Sequence, residues 1–177
     1  MIKNIAKWFL GLAFFGLLVF GLYYFSWGTK KELPISNLDP KNASYQIEDQ
    51  TINLVNGEAQ NSGSPASLNY YDVLLGENKA TGDLDGDLLP EQVITLNYSG
   101  GGSGVFTYLA VLKKGLAVAP TLLVGDRVIV NKIIIDRGVI IVSYLDRGET
   151  EPMAASPTVA KILKVKLVNN QLKQING

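Results

Sequence analysis

The chain has 177 residues, with 16 basic and 16 acidic side chains and neither cysteine nor histidine. These absences exclude disulfides, Cys/His zinc sites, cysteine nucleophiles and any Ser-His-Asp triad. A formal net charge of zero predicts no bulk electrostatic attraction to nucleic acid or to anionic lipid. The length suits one ordinary domain plus an appendage, and the 18 glycines with many Val, Ile, Leu and Tyr residues favour strands and turns.

An uncharged stretch near the N-terminus predicts a transmembrane anchor. The 22 residues from Trp8 to Thr29 carry no charge, and a helix of that length spans a hydrocarbon core of about 30 Å. Trp8 and Trp27 stand at its two ends, where aromatic rings favour the membrane interfaces. A cleaved signal peptide is the alternative, with Ser26-Trp27-Gly28 at the cleavage site. The short tail before the span favours a cytoplasmic N-terminus, with the following domain outside the cytoplasm.

The residues after the span divide into a linker and a β domain. Pro34 and Pro40 lie among polar neighbours and predict an extended tether over residues 30–44. Short alternating segments separated by turn residues follow and predict strands. We therefore predict an anchor over 1–29, a linker over 30–44 and an all-β domain over 45–177. The domain is expected to be a mostly antiparallel sandwich or curled sheet of roughly eight to ten strands.

Four local patterns in the second half make specific predictions. Val105 to Leu112 is apolar on both faces and predicts a central strand. Asp136-Arg137-Gly138 predicts a three-residue hairpin loop, and Asn169-Asn170 predicts a second turn. Lys164 and Lys166 alternate with apolar residues and predict an edge strand protected from aggregation.

Asp-Arg recurs three times, at 126–127, 136–137 and 146–147. In a meander the first and third pairs would meet at one end of the sheet and the second would lie at the other. Turn chemistry with weak local ion pairs explains such pairs. The sharper hypothesis is a functional cluster of the first and third pairs on neighbouring loops.

The segment from Gly82 to Glu91 concentrates carboxylates. Asp83, Asp85 and Asp87 alternate, and Glu91 follows four residues later. Such carboxylates repel one another unless a cation lies between them, and oxygen-only ligands suit a hard cation, Ca²⁺ first. An EF-hand needs Gly at the sixth position and Glu at the twelfth. Leu88 and Ile94 occupy those positions, which excludes the EF-hand.

A calcium loop that runs directly into a strand resembles the FG-GAP/VCBS type found in integrin-like propellers and bacterial surface proteins. The resemblance implies a metal site formed by Asp83, Asp85, Asp87, the carbonyl of Leu89 and Glu91. Two positions depart from the family pattern, which has Gly in place of Leu88 and Asp in place of Glu91. A solvated acidic turn without an ion is the alternative.

A looser likeness covers more of the chain and points to uncharacterised bacterial envelope proteins that are membrane-tethered. It is carried by five segments: Thr81–Asp87, Gly100–Gly104, Leu123–Val128, Val142–Arg147 and Glu151–Met153. The likeness implies location and fold more than activity.

These observations favour a membrane-tethered extracytoplasmic β domain with a calcium-stabilised loop and a binding or structural role in the cell envelope. The expected partners are the lipid bilayer, through residues 8–29, and an envelope protein or glycan; nucleic acid is not expected. One alternative is a glycan-acting enzyme that uses Glu149 or Glu151 with an aspartate. The other is a non-catalytic subunit of an envelope assembly, with a metal-free loop and an exposed apolar patch.

Overall fold

The computed structural model describes residues 39–61, 63–66, 69–114 and 116–176. A short 3-10 helix, Pro40–Asn42, precedes the strands. The strands in these ranges are β1 (Ser44–Ile47), β2 (Gln50–Asn53), β3 (Glu58–Gln60), β4 (Asp72–Gly82), β5 (Glu91–Ser99), β6 (Phe106–Lys113), β7 (Leu116–Asp126), β8 (Ile129–Asp136), β9 (Val139–Asp146), β10 (Val159–Val168) and β11 (Gln171–Gln174).

No helix within the described ranges is long and apolar enough to cross a bilayer. The predicted anchor, Trp8 to Thr29, lies outside those ranges, as does the predicted linker before residue 39. Both therefore stay predictions.

The strands form three sheets in which all pairs are antiparallel. The largest has five strands in the order β3-β4-β5-β6-β7, the second has four in the order β11-β10-β9-β8, and β1 pairs with β2 as a separate hairpin. The predicted all-β, antiparallel class is confirmed for this part of the chain.

The five-stranded sheet has a hydrophobic core on each face. On one face Ile94 and Leu96 of β5 pack with Tyr45 and Ile52 of the β1–β2 hairpin. On the other face Val93 and its neighbours pack against the inner side of the four-stranded sheet. Strand β6 is buried on both sides from Thr107 to Leu112, where a nearly continuous run of apolar residues supplies both faces. The predicted central strand is confirmed.

The turns of the four-stranded sheet correct one prediction. Asp136 pairs with Val139, so the β8–β9 loop has two residues and not three. Those residues, Arg137 and Gly138, have φ of 47° and 74°, as a type I′ turn requires at both central positions. Asp136 is therefore the last residue of β8 and lies outside the turn. The predicted turn at Asn169-Asn170 is confirmed, because it connects β10 to β11.

The edge-strand prediction for Lys164 and Lys166 is wrong. Strand β10 lies between β9 and β11 and is interior to its sheet. After the asparagine turn, β11 folds back along the second half of β10 and pairs with it. The lysines alternate with the buried Leu163 and Val165, so they point to the solvent from a sheet face and not from an edge.

Gly76 permits a close approach between two strands. It lies where the β4–β5 register shifts between Leu75 and Lys79. A Cβ atom there would overlap Thr95 Oγ1 and lie 3.2 Å from the backbone oxygen of Thr95.

We expect Gly76→Ala to lower the free energy of unfolding by about 2 kcal/mol, within the usual range for overpacking. Urea unfolding measures the loss. Gly102→Ala is the matched control, since no atom lies within 4 Å of a Cβ there. Equal losses in the two variants would show that the contact with Thr95 carries no strain.

Candidate metal centre

The acidic loop joins two neighbouring strands. β4 ends at Gly82 and β5 begins at Glu91, and these two residues pair across the base of the loop. Inside the loop Asp83 accepts hydrogen bonds from the backbone N–H groups of Gly86 at 2.7 Å and Leu88 at 3.0 Å. Hydrogen bonds from nearby backbone N–H groups to an aspartate carboxylate form compact turns and hold the carboxylate in place.

Three of the predicted ligands converge. Asp83, Asp85 and Glu91 each place one carboxylate oxygen so that the three atoms lie within 4.8 Å of one another. Oxygen ligands lie 2.3–2.6 Å from Ca²⁺, so two oxygens on one ion are at most about 5 Å apart. The spacing therefore fits a single hard cation, and the bound species stays a prediction.

Glu91 is the unusual member of this group because it is fully buried. Its Oε2 accepts a hydrogen bond from the backbone N–H of Leu84 at 2.8 Å, whereas its Oε1 has no hydrogen-bond partner. Burial raises the pKa of Glu91; the Leu84 N–H partly offsets the rise, and the charges of Asp87 and Asp83 add to it. A buried carboxylate in this position requires a proton or a nearby cation.

Lys113, the last residue of β6, places its ammonium group beside the acidic loop. It forms an ion pair with Asp85, and its Nζ lies 3.3 Å from Asp87 Oδ2 and 3.6 Å from Glu91 Oε1. Lys113 thus supplies a counter-charge within the chain. The Lys113 ammonium group is positively charged and lies beside the same carboxylates, so it would compete with a metal ion for them.

Sequence reasoning missed Lys113, although a signal was present. The β5–β6 pairing joins Gln92 to Leu112 and Tyr98 to Phe106. This register is symmetric about Gly102, in the glycine-rich loop (residues 100–105) between β5 and β6. A symmetric hairpin around Gly102 would have placed Lys113 opposite Glu91.

The other two predicted ligands lie outside the convergent group. Asp87 turns one oxygen toward Lys113 and accepts the backbone N–H of Leu89 at 2.9 Å with the other. Leu89 is half-buried on the loop. Their roles as ligands stay predictions.

Leu88 adopts the left-handed backbone conformation that favours glycine. Its φ is 65°, and its side chain is exposed. A left-handed non-glycine residue costs roughly 1–2 kcal/mol, and glycine's extra freedom in the unfolded chain offsets part of that.

We therefore expect Leu88→Gly to raise the free energy of unfolding by about 0.5–1 kcal/mol. Chemical denaturation in EDTA is the measurement. Gly86→Ala should act in the opposite direction, since Gly86 has φ of 85° in open space. Destabilisation by Leu88→Gly would show that the leucine side chain contributes packing that outweighs the strain.

The first and third Asp-Arg pairs lie side by side, as predicted, although β7 and β8 belong to different sheets and do not form the expected meander. Arg147 is buried, and it donates to the carbonyls of Asp126 at 3.0 Å and Arg127 at 3.4 Å. A third bond reaches the carbonyl of Ala155 at 2.9 Å. These hydrogen bonds connect the backbone at Arg147 with residues 126–127 and with Ala155. The cluster of Asp-Arg pairs therefore has a structural role.

The carboxylates of the enzyme hypothesis, Glu149 and Glu151, are exposed on the loop between β9 and β10. Glu151 Oε2 accepts the backbone N–H of Gly148 at 2.7 Å, so this carboxylate stabilises its own loop. The catalytic role stays a prediction.

No protein-family model, curated protein or solved structure matches the chain. The resemblances to the FG-GAP/VCBS-type loop and to envelope proteins therefore depend on the residues that carry them.

Proposed function

We propose that this chain is a membrane-tethered β domain, held outside the cytoplasm by residues 8–29, whose acidic loop binds Ca²⁺ as a structural staple in the cell envelope. The observation that carries the metal site is Glu91. Its buried Oε1 has no hydrogen-bond partner, and one carboxylate oxygen of Glu91 converges with one oxygen each of Asp83 and Asp85. A hard divalent cation would satisfy that oxygen and remove the repulsion among the three carboxylates.

The staple would act on packing between the two larger sheets. Leu84 belongs to the acidic loop, yet its side chain is buried in the core that the five- and four-stranded sheets share. Its carbonyl oxygen would lie 3.2 Å from a Cβ at Gly138 in the β8–β9 turn. An ion that fixes the loop would therefore also fix Leu84 in that core.

The location outside the cytoplasm suits a weak site. An ion would have to displace the Lys113 ammonium from Asp85, which lowers the affinity. Extracellular calcium modules work with dissociation constants of about 10⁻⁴–10⁻³ M. A site of this kind is useful only where calcium is plentiful.

Thermal unfolding of the full chain in detergent tests the proposal, first in EDTA and then in millimolar Ca²⁺. For a dissociation constant of about 10⁻⁴ M, Ca²⁺ at about 1 mM adds about 1.4 kcal/mol to the free energy of unfolding, a rise of a few degrees in Tm. Asp85→Ala should abolish the rise. Asp49→Ala is the matched control, because Asp49 is an exposed aspartate in the β1–β2 turn, and it should keep the rise.

A loop that works without metal is the second candidate, and Lys113 favours it. Its ammonium group already faces Asp85, Asp87 and Glu91. The same unfolding measurement decides between the two. An equal Tm in EDTA and in Ca²⁺ would support the metal-free loop and refute the calcium staple.

A further inference from the structure

The four-stranded sheet has an outer face, the side turned away from its core, that combines isoleucines with lysines. The inner side is marked by the buried Ile140 and Val165. Pairing across β8, β9 and β10 places the alternate residues together on the outer face. Those that carry the argument are Ile134, Ile141, Ile162, Lys132, Lys164 and Lys166.

Two of the three isoleucines named on the outer face are exposed to solvent, and Ile141 is half-buried. Ile162 is 67% exposed and Ile134 is 41% exposed. Ile141 lies between Ile134 and Lys164 in one pairing row. Single exposed apolar residues are ordinary, but a patch that continues across adjacent strands marks a binding surface.

The charge on the outer face has one dominant sign. Lys132, Lys164, Lys166 and, on β11, Lys173 belong to its pairing rows. Asp136 belongs to the same rows, and its carboxylate forms an ion pair with Arg137 at 3.4 Å. The neutral composition of the chain therefore hides a basic surface.

We propose that this outer face adsorbs on the surface of an anionic lipid bilayer. Lysine is depleted in protein–protein interfaces, whereas at a membrane its stem lies on apolar surface and its ammonium reaches the phosphates. Each lysine near an anionic surface strengthens adsorption about fivefold. Charge complementarity thus favours lipid over a protein partner.

The predicted anchor makes weak adsorption effective. It ends at Thr29, and the first described element of the domain, the 3-10 helix, begins at Pro40. Ten residues reach at most about 35 Å, so the domain would stay close to the bilayer, at a high effective concentration of lipid. The proposal is independent of the metal centre, because none of the outer-face residues is a predicted ligand.

A single fluorophore on the outer face tests the proposal. The chain has no cysteine, so Ile162→Cys gives the full chain one labelling site for an environment-sensitive dye. The labelled chain is mixed in EDTA with vesicles of neutral lipid, or of neutral lipid with roughly 30% anionic lipid. We expect a blue shift and a rise in emission with the anionic vesicles alone, lost in about 1 M salt, where the Debye length falls to about 3 Å.

Two sets of control variants test whether the signal depends on the lysines of the outer face and on the position of the dye. Replacing Lys132, Lys164 and Lys166 by Gln should remove the signal, whereas the same change at the exposed Lys41, Lys79 and Lys114 should leave it. Leu116→Cys, at a position 76% exposed on β7, should report no lipid. The proposal is overturned if the dye at position 162 behaves alike with both vesicles. It is also overturned if the dye is shielded without lipid in proportion to protein concentration, which would identify a second copy as the occupant.

Discussion

Replacing Arg147 by methionine is expected to lower the free energy of unfolding by about 3–4 kcal/mol, because it removes the donors of three carbonyl groups at one step. Each buried acceptor left without a partner costs about 1–3 kcal/mol, and the carbonyls here are only partly buried. Methionine keeps most of the apolar stem, so the loss reports the hydrogen bonds. Equilibrium unfolding in urea measures it.

Arg137→Met is the matched control. Arg137 also follows an aspartate, but its side chain is 91% exposed, and exposed ion pairs contribute at most about 1 kcal/mol. Similar losses in the two variants would contradict the structural role assigned to Arg147.

The position of Arg147 explains why the effect should be large. Asp126 ends β7 in the five-stranded sheet, and β8 of the four-stranded sheet begins at Ile129. Arg147 holds the backbone of this crossover, and it holds the β9–β10 loop through Ala155. The variant should therefore loosen the connection between the two sheets, with faster hydrogen exchange at residues 126–129.

Strands and their faces were predictable because the side-chain period of a strand is local. Alternation in β10 correctly separates the buried Leu163 and Val165 from Lys164 and Lys166 on the other face. The assignment of strands to sheets was not predictable, since it depends on contacts between distant segments. Strands β7 and β8 show the difference: they are neighbours along the chain, but they belong to different sheets.

The candidate metal centre was likewise predictable from the sequence only in part. The spacing of Asp83 and Asp85 in one short loop suffices to predict convergent carboxylates. The burial of Glu91 and the arrival of Lys113 depend on the β5–β6 register and on packing between sheets. A net charge of zero likewise hides both the acidic loop and the basic outer face, because composition carries no information on position.

Lys113→Met is expected to lower the free energy of unfolding in EDTA by about 3 kcal/mol, because the substitution leaves Asp85, Asp87 and the buried Glu91 without a counter-charge. Breaking a fully buried pair costs about 3–5 kcal/mol, and the partial exposure of Lys113 and Asp85 favours the lower end. Lys114→Met, at the next and exposed residue, is the control and should change the free energy little. Chemical denaturation in EDTA gives both values.

The effect of Ca²⁺ on the stability of Lys113→Met distinguishes the calcium staple from the metal-free loop. If the loop binds Ca²⁺, the ion no longer competes with an ammonium group in Lys113→Met. The stabilisation by Ca²⁺ should therefore be larger in that variant than in the parent chain. If the loop is metal-free, the variant should stay equally unstable in EDTA and in millimolar Ca²⁺.

Glu91→Gln provides the internal check on this electrostatic account. The amide has the size of the carboxylate and no charge, so it removes the buried charge that Lys113 opposes. The double variant with Lys113→Met should be more stable in EDTA than Lys113→Met alone, and neither Glu91→Gln chain should respond to Ca²⁺. A double-mutant cycle measures this coupling, expected at about 1–3 kcal/mol for residues in direct contact. Additive effects would show that Lys113 stabilises the domain through Asp85, Asp87 or its own stem, and that the charge of Glu91 plays no part.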